Sequence, residues 1–392
     1  SLTSIDKKES DLFKSMKHKV ERITKTDEDE SNPIVSPDMK KVAYQVGRGK
    51  LIVADISSDG KLSNKETLLD DWATPEGISW SPDSKWLAYS LSDLEFNDEV
   101  YIHPVDNSLK PVNVSMHPRG DYSPVWSMDG SKLGFISQRS NSDIDIWFAW
   151  LNKADWDKTK EDWEHSDKPK PSSKKKKDKD STEVKPVKID VENIHERLVR
   201  VTSLDGNETN IVFSKDGETI YFTAKSLTQK GTDIFSIKFD GTDIKELTKS
   251  GKSPNALSMD KGAKYIYFIE KGKFARLDVK SGKDESIPFN AKMDVDFQAE
   301  RNQIFEESWR ALRDGFYDPN FHGNDWDKLK SKYKPMCMKA STQKDFQDMY
   351  NIMLGELNAS HMGMRYANDR TDLEKERTGL LGAEVLPTQK GV

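Results

Sequence analysis

The sequence predicts a mainly β protein: a β-propeller of four-stranded blades, each about 45 residues long, followed by a small α-helical subdomain. Three observations lead to this prediction. One motif occurs five times at nearly constant spacing, the segments between its copies read as short strands and turns, and helical periodicity begins only near residue 294. We therefore assign residues 1–293 to the propeller and 294–378 to the helical subdomain.

The repeated motif is an apolar residue, then Ser-x-Asp, then an alternating strand. Its five copies read VSPDMKKVAY, WSPDSKWLAYS, WSMDGSKLGFIS, FSKDGETIYFT and LSMDKGAKYIYFI. Their serines are Ser36, Ser81, Ser127, Ser214 and Ser258, at steps of 45, 46, 87 and 44 residues. Short strands at a period near 45 residues are typical of propeller blades, so the sequence predicts at least five of them.

Each copy also predicts roles for its side chains. The aspartate two residues after the serine is expected to accept backbone hydrogen bonds within its own turn. The residue before the serine is expected to be buried between adjacent blades; these residues are Val35, Trp80, Trp126, Phe213 and Leu257. A further strand follows in each unit, as in KLIVADI and DIDIWFAWL.

The long step of 87 residues is one period plus about 42 residues. The surplus coincides with DKPKPSSKKKKDKDSTEVKPVKI, which has many Lys, Asp, Pro and Ser residues and almost no apolar ones. Such a composition predicts a disordered, solvated insertion at about residues 165–188. Lys174 to Lys177 could also be a nucleic-acid or membrane patch, but acidic residues flank the run and no aromatic residue interrupts it.

The first residues allow two interpretations. ESDLFKSMKHKVERIT has the spacing of an amphipathic helix through Leu12, Phe13, Met16 and Val20, and it also aligns with the outer half of a blade. We prefer the blade, so that the chain would start partway through a propeller.

The helical subdomain is predicted to contain three helices. The first runs through Ile304 and Trp309, and the second begins at Trp326. The third begins at a capping box, Thr342-x-x-Asp345, and its core residues are expected to end on the pair Ser360-His361. After it, residues 379–392 read as the start of a further, truncated domain.

Composition excludes several classes of protein. A net charge of −6 with both charge signs spread along the chain does not fit a general nucleic-acid binder, and no apolar run is long enough to span a bilayer. One cysteine, Cys337, excludes an internal disulfide, and the seven histidines show no metal-ligand spacing. We therefore expect no metal and no cofactor. Asp314, Asp318 and Asp325 are expected to cap helices, and His322 to be structural.

IFEESWRALRDGFYDPNFHGNDW, followed by LGELNASHMG, closely resembles the start of the catalytic core of tricorn-type serine peptidases, relatives of the C-terminal-processing peptidases. The resemblance implies that His361 is the catalytic histidine and Ser360 its orienting neighbour. It further implies that residues 379–392 open a PDZ-like domain and that the nucleophile belongs to a second core subdomain outside this chain. By the same resemblance the substrates are peptides, homo-oligomers are possible, and the location is cytoplasmic or, alternatively, periplasmic.

Two functions follow from the sequence. The first is a serine peptidase of the tricorn type, with this chain inactive on its own because it would lack the nucleophile. The alternative is a non-catalytic propeller module that binds proteins or peptides. A propeller joined to an α/β-hydrolase does not fit, because G-x-S-x-G is absent from the sequence.

Overall fold

The computed structural model describes residues 2–5, 8, 14, 15, 17–140, 143–165, 185–289 and 296–365. The chain divides into two compact units, Ser1–Phe289 and Asn290–Val392. The first consists of antiparallel sheets and the second of helices. In the described residues no helix is both long and apolar enough to cross a membrane.

Five four-stranded antiparallel sheets form the first unit, and in each sheet the strands follow chain order. They are the predicted propeller blades. A short two-stranded sheet precedes them: β1 (Leu2–Ser4) and β2 (His18–Val20). Blade 1 consists of β3 to β6 (Glu30–Val35, Lys41–Val46, Lys50–Ile56, Leu62–Asp70). Blade 2 consists of β7 to β10 (Glu76–Trp80, Trp86–Ser92, Asp98–Pro104, Val112–Asn113).

The remaining three blades repeat this arrangement. Blade 3 consists of β11 to β14 (Asp121–Trp126, Lys132–Ser140, Asp143–Trp150, Leu198–Arg200). Blade 4 consists of β15 to β18 (Thr209–Phe213, Thr219–Lys225, Thr232–Lys238, Lys245–Glu246). Blade 5 consists of β19 to β22 (Asn255–Met259, Tyr265–Glu270, Lys273–Asp278, Asp284–Ser286).

The Ser-x-Asp turns join the first and second strands of blades 1 to 4. In each, the serine hydroxyl accepts the backbone N–H five residues later, at 2.9 Å. Each aspartate accepts the backbone N–H two residues after itself, at 3.1–3.2 Å. The predicted role of these aspartates within the turn is thus confirmed.

Blade 5 corrects the assignment of the fifth serine. There Asp260, not Ser258, occupies the position: its backbone N–H donates to the Tyr265 carbonyl (3.0 Å), and its carboxylate accepts from the Tyr265 N–H (2.6 Å). A carboxylate can replace the serine hydroxyl because the turn needs only an acceptor at that place. The last step is then 260 − 214 = 46 residues, which makes the period more regular than the sequence indicated.

Every first strand contains a β-bulge that the sequence did not predict. The pairing register shifts at the same place in all five blades. One residue of each bulge has a left-handed backbone, with φ from 49° to 60°: Asn32, Gly77, Ser123, Asn210 and Ala256. Each of the five lies four residues before the first residue of the turn, so the bulge is part of the repeat.

Aromatic residues connect neighbouring blades. The Trp80 indole N–H donates to the Ile34 carbonyl of blade 1 (2.9 Å), and the Trp126 indole N–H donates to the Ser79 carbonyl of blade 2 (3.2 Å). Together with Phe213 these residues are buried, as predicted. The prediction is wrong for Val35, which is 40% exposed, because no four-stranded sheet precedes blade 1 in the described residues. It is also wrong for Leu257, which is only half-buried, because Asp260 takes the place of the serine and Met259 is then the residue before the turn.

The segment that interrupts blade 3 lies between β13 and β14. It begins with two short helices, α1 (Lys153–Trp156) and α2 (Lys160–His165), and ends with a 3-10 turn at Ile194–Glu196. Residues 166–184, most of the predicted solvated insertion, lie outside the described residues. So do residues 379–392, which were expected to open a further domain. The last residues of that insertion are packed: Val187 contacts the core between blades 2 and 3, and its N–H donates to Asp83 (2.8 Å).

The N-terminal segment and the helical unit complete the description. Val20 lies in a strand rather than a helix, while Leu12, Phe13 and Met16 lie outside the described residues. The second unit contains α3 (Phe297–Gly315), α4 (Trp326–Met338) and α5 (Gln343–Gly355). Their shared core includes Phe305, Trp309, Trp326, Tyr333, Phe346, Tyr350, Met353 and Leu357. The predicted capping box of Thr342 and Asp345 is present at the start of α5.

Candidate functional site

Ser360 and His361 lie in a turn beyond α5 and not at its end. The helix ends at Gly355, and Asn358 with φ of 45° turns the chain away from the helix axis. The expected delivery of the pair by the helix end is therefore wrong. The helix dipole acts within the last turn only, so it does not reach His361, which lies six residues after Gly355.

The chain before the pair is held by the turn in NFHGNDW, which contains His322 and Asn324. The His322 Nδ1 lies 2.7 Å from the Leu357 carbonyl oxygen, and the Asn324 side-chain amide donates to the Glu356 carbonyl (3.0 Å). Two of the carbonyls that follow α5 thus have side-chain partners from a distant segment. Tyr317 contacts the other ring nitrogen of His322 through its hydroxyl, which further orients the ring.

That turn has an unusual backbone. Phe321, His322 and Gly323 all have left-handed φ angles, of 49°, 54° and 83°. Asp318 stabilises it by accepting the backbone N–H groups of Asn320 (3.0 Å) and His322 (2.8 Å). The sequence signal for it was the NFHGNDW segment, with its glycine and two asparagines, but its partners at 356 and 357 could not be read from the sequence.

The chain after the pair folds back along α5. Asn351 accepts the Met364 N–H (2.7 Å) and donates to the Met364 carbonyl (3.3 Å), while the Gln347 amide donates to the same carbonyl (2.9 Å). We call these contacts, with those of His322 and Asn324, the double anchor. The turn that contains Ser360 and His361 therefore lies between two anchored positions, one at Glu356 and Leu357 and the other at Met364.

His361 itself has a left-handed backbone and an exposed side chain. Its φ is 61°, a conformation that non-glycine residues adopt uncommonly. Ser360 is also exposed, and neither side chain has a hydrogen-bond partner within residues 296–365. Both are therefore open to a group that approaches from outside this unit.

A cavity of about 640 Å³ lies beside the turn. His361 is in its wall with Arg365, and most of the rest of the wall is apolar, with contributions from Ile304, Leu312, Leu354, Met362 and Met364. Tyr350 and Ser308 also contribute to the wall. Cavities that are mainly apolar with a few polar groups are the usual form of small-molecule and peptide sites.

The Tyr350 hydroxyl is buried and has no hydrogen-bond partner in the described part of the chain. The side chain is 1% exposed, and burial raises its pKa far above the usual range. The neighbouring Ser308 hydroxyl donates to the Ile304 carbonyl (2.7 Å). Tyr350 is thus a neutral group at any physiological pH and cannot act as a base here.

The other residues singled out from the sequence have ordinary roles, with two corrections. Asp318 was expected to cap a helix, but it stabilises the turn around His322 instead. Asp325 caps α4 by accepting the Lys328 N–H (2.9 Å). Asp314 does not cap a helix: it pairs with Arg313 (2.6 Å) on the exposed surface of α3. Cys337 is a buried thiol, and burial raises its pKa to about 11. Among the described residues, no group of three or more His, Cys, Asp and Glu side chains could hold a metal ion.

Comparison with known proteins identifies the relatives of this chain. Residues 297–355 match the tricorn protease C1 domain, and Ser360 and His361 lie outside the match, five and six residues after its last residue. The chain is 23% identical over 389 residues to tricorn protease homolog 1 of Streptomyces coelicolor, covering 91% of this chain and 36% of that protein. It is 24% identical over 376 residues to a tricorn protease homolog of Saccharolobus solfataricus, covering 89% and 33%.

The fold agrees with these sequence matches. The crystal structure of the tricorn protease superposes with a TM-score of 0.64 at 13% identity, over 85% of this chain and 33% of that one. The chain thus spans about a third of the length of the curated relatives it matches. Its blades and its helical unit both have counterparts among them, and the chain is a relative of the tricorn proteases.

Proposed function

We propose that this chain serves peptide hydrolysis of the tricorn type and that His361 is the general base. The observation that carries the proposal is the exposed Ser360-His361 turn, held by the double anchor at the edge of a cavity. The turn lies five residues beyond the end of the match to the tricorn protease C1 domain. The names of the relatives support the reaction class.

The chemistry needs a base that is held still but remains accessible. A serine hydroxyl attacks the peptide carbonyl once an imidazole takes its proton, and the same imidazole returns the proton to the leaving amine. His361 meets both conditions, because its backbone is held on both sides while its ring is exposed. The resemblance gives Ser360 the role of orienting the ring. Its hydroxyl makes no hydrogen bond to His361 in the described residues, so on this proposal that contact forms only in the assembled site.

The nucleophile is not assigned to any residue of this sequence. The resemblance to tricorn-type peptidases implies that it belongs to a second core subdomain, together with an acidic residue. On this proposal the 392-residue chain alone should not cleave peptides, and the propeller would admit or filter peptide substrates without performing chemistry. Cleavage of a fluorogenic peptide by this chain alone, blocked by a serine-directed acylating reagent, would contradict that assignment.

The test of His361 is made in the full-length natural protein. His361→Ala should lower peptide turnover by about 10²-fold or more, the usual contribution of a general base, with little change in Tm. Ser360→Ala should lower turnover about fivefold, since one hydrogen bond is worth about 1 kcal/mol. His195→Ala, a histidine of the first unit, is the control and should leave turnover unchanged.

The alternative function makes the opposite forecast. If the chain is a non-catalytic binding module, two results are possible. Either the His361→Ala protein has nearly the turnover of the wild type, or the wild-type protein itself shows no turnover. Near-normal turnover in a correctly folded His361→Ala protein would therefore end the catalytic assignment.

A further inference from the structure

Two loops of the first unit bring large hydrophobic side chains together on the surface. Trp72 lies in the loop between blades 1 and 2, and Phe96 lies in the hairpin between β8 and β9. Their rings meet edge to face with centroids 6.0 Å apart. Trp72 is 42% exposed, Phe96 78%, and Leu94, at the tip of the same hairpin, 77%. Contiguous exposed apolar groups of this size commonly mark interaction sites.

The hairpin holds these side chains outward by a defined set of hydrogen bonds. The Asp93 carboxylate accepts the N–H groups of Glu95 and Asn97 (both 2.9 Å), and the Asp93 carbonyl accepts the Phe96 N–H (3.0 Å). Phe96 has φ of 62°, which is unfavourable for a bulky residue. The exposed position of its ring is therefore part of an ordered turn and does not come from a loose loop.

The same two loops are strongly acidic. Residues 70–76 (DDWATPE) and 93–98 (DLEFND) together contain six acidic residues and no basic residue. Asp70 and Glu95 have no ion-pair partner in the described part of the chain. Burial and the carboxylates of Glu99, Asp93 and Asp71 raise the pKa of Tyr101, so acidic groups of both loops act on the same side chain.

We propose that this acidic aromatic surface, formed by Trp72, Leu94 and Phe96 with Asp70 and Glu95, binds an extended basic peptide segment that carries apolar side chains between its lysines or arginines. The apolar side chains would cover the three exposed hydrophobic groups. The cations would pair with the carboxylates and stack on the aromatic faces. Aromatic residues at such a centre commonly supply most of the binding free energy, and the surrounding charge selects the partner.

A second copy of this chain is a poorer occupant. A symmetric dimer through this surface would bring two acidic patches together, and each chain already has a net charge of −6. Like charges facing one another are unfavourable in an interface. The charge of the surface thus favours a basic partner over self-association.

The proposal is tested by fluorescence anisotropy with a labelled peptide of alternating Lys and Leu or Phe residues, and with the same peptide carrying Glu in place of Lys. The basic peptide should bind saturably at about 50 mM salt and more weakly at about 300 mM, because salt screens the charge pairs. The acidic peptide should not bind.

Variants locate the site on the molecule. Phe96→Asn should weaken binding about tenfold while keeping the turn, since Asn tolerates a left-handed backbone. Trp72→Ser and Glu95→Lys should each weaken it severalfold. The matched control is Leu227→Ser, which removes another loop leucine with 77% exposure and should leave affinity unchanged.

Three outcomes would overturn the proposal. One is equal binding of the acidic and basic peptides, and another is an equal loss of affinity in Leu227→Ser and Phe96→Asn. The third is concentration-dependent dimerisation in sedimentation that Phe96→Asn abolishes, which would make this surface a self-association site. None of these measurements depends on peptidase activity. A failure of the peptide-binding proposal can therefore be distinguished from a failure of the proposed function.

Discussion

At the scale of the residue, left-handed backbone positions shape both units of this protein. In the propeller such a residue forms the bulge of every first strand, and in the helical unit His322 and His361 both have positive φ angles. Residues in this conformation cost conformational free energy and persist where surrounding contacts hold them. At His361 those contacts are the double anchor, so the strain and its support occur together at the proposed site.

One buried carboxyl group leads to a prediction about pH. Glu208 is 1% exposed, and one of its carboxylate oxygens has no hydrogen-bond partner in the described part of the chain. Burial, with the neighbouring carboxylates of Asp145 and Asp143, raises its pKa from 4.5 to about 7. The folded state therefore binds this proton more tightly than the unfolded state, and stability is lost as the pH rises from about 4.5 through about 7.

Glu208→Gln should remove that loss. At about pH 8 the variant should be more stable than the wild type by about 1–3 kcal/mol, and at about pH 5 the two should be nearly equal. Urea unfolding at both pH values measures this, with the exposed Glu218→Gln as a control that should show no pH-dependent difference. A variant that is less stable at both pH values would show that the Glu208 carboxylate makes a necessary contact.

At the scale of the element, the segment inserted in blade 3 is attached to the blades at both ends. Trp163 of α2 stacks on Trp150 with ring centroids 5.1 Å apart, and both contact Phe239 of blade 4. At the other end Val187 packs between blades 2 and 3. The two ends of the inserted segment, around Trp163 and Val187, thus pack against the blades.

Removing residues 166–184 and joining the flanks through a Gly-Ser linker of about ten residues should change Tm by no more than about 2 °C, because loop-closure cost varies slowly with length. Val187→Ser should cost about 1 kcal/mol or more, since it removes apolar packing. Thermal unfolding of both proteins makes the comparison. A deletion that lowers Tm as much as Val187→Ser does would show that the lysine-rich residues themselves stabilise the unit.

At the scale of the whole molecule, hydrogen bonds between blades contribute to the stability of the propeller. Trp80→Phe removes the indole donor to Ile34 of the neighbouring blade and should cost about 1–2 kcal/mol, because it leaves a carbonyl without its partner. The matched control is Trp147→Phe. The Trp147 indole N–H is buried with no partner among the described residues, so its loss should be neutral or stabilising.

Urea unfolding distinguishes the two substitutions, which remove the same volume. Equal destabilisation by Trp80→Phe and Trp147→Phe would assign the effect to lost ring volume and leave the bond between the blades without a measurable contribution.

Much of this architecture is determined by the sequence alone. The 45-residue period, the Ser-x-Asp turns, the capping box of α5 and the apolar face of that helix depend on residues at most five positions apart or on strict periodicity. Their hydrogen bonds form within a single turn, so residue type and spacing are sufficient to predict them. The Ser360-His361 pair was found in the same way, as a local pattern after a helix.

Contacts between distant segments were decided by the tertiary structure. His322 lies 35 residues before Leu357, whose carbonyl it contacts, and Asn351 lies 13 residues before Met364. No repeat or periodic pattern in the sequence predicts either of these contacts. The same is true of the surface contact between Trp72 and Phe96. The carbonyls that follow α5 also depend on distant partners, since His322 and Asn324 contact those of Leu357 and Glu356. Asp260 in blade 5 is a local exception: its turn needs only a hydrogen-bond acceptor, and several residue types can serve, so spacing alone did not identify which residue occupies the position.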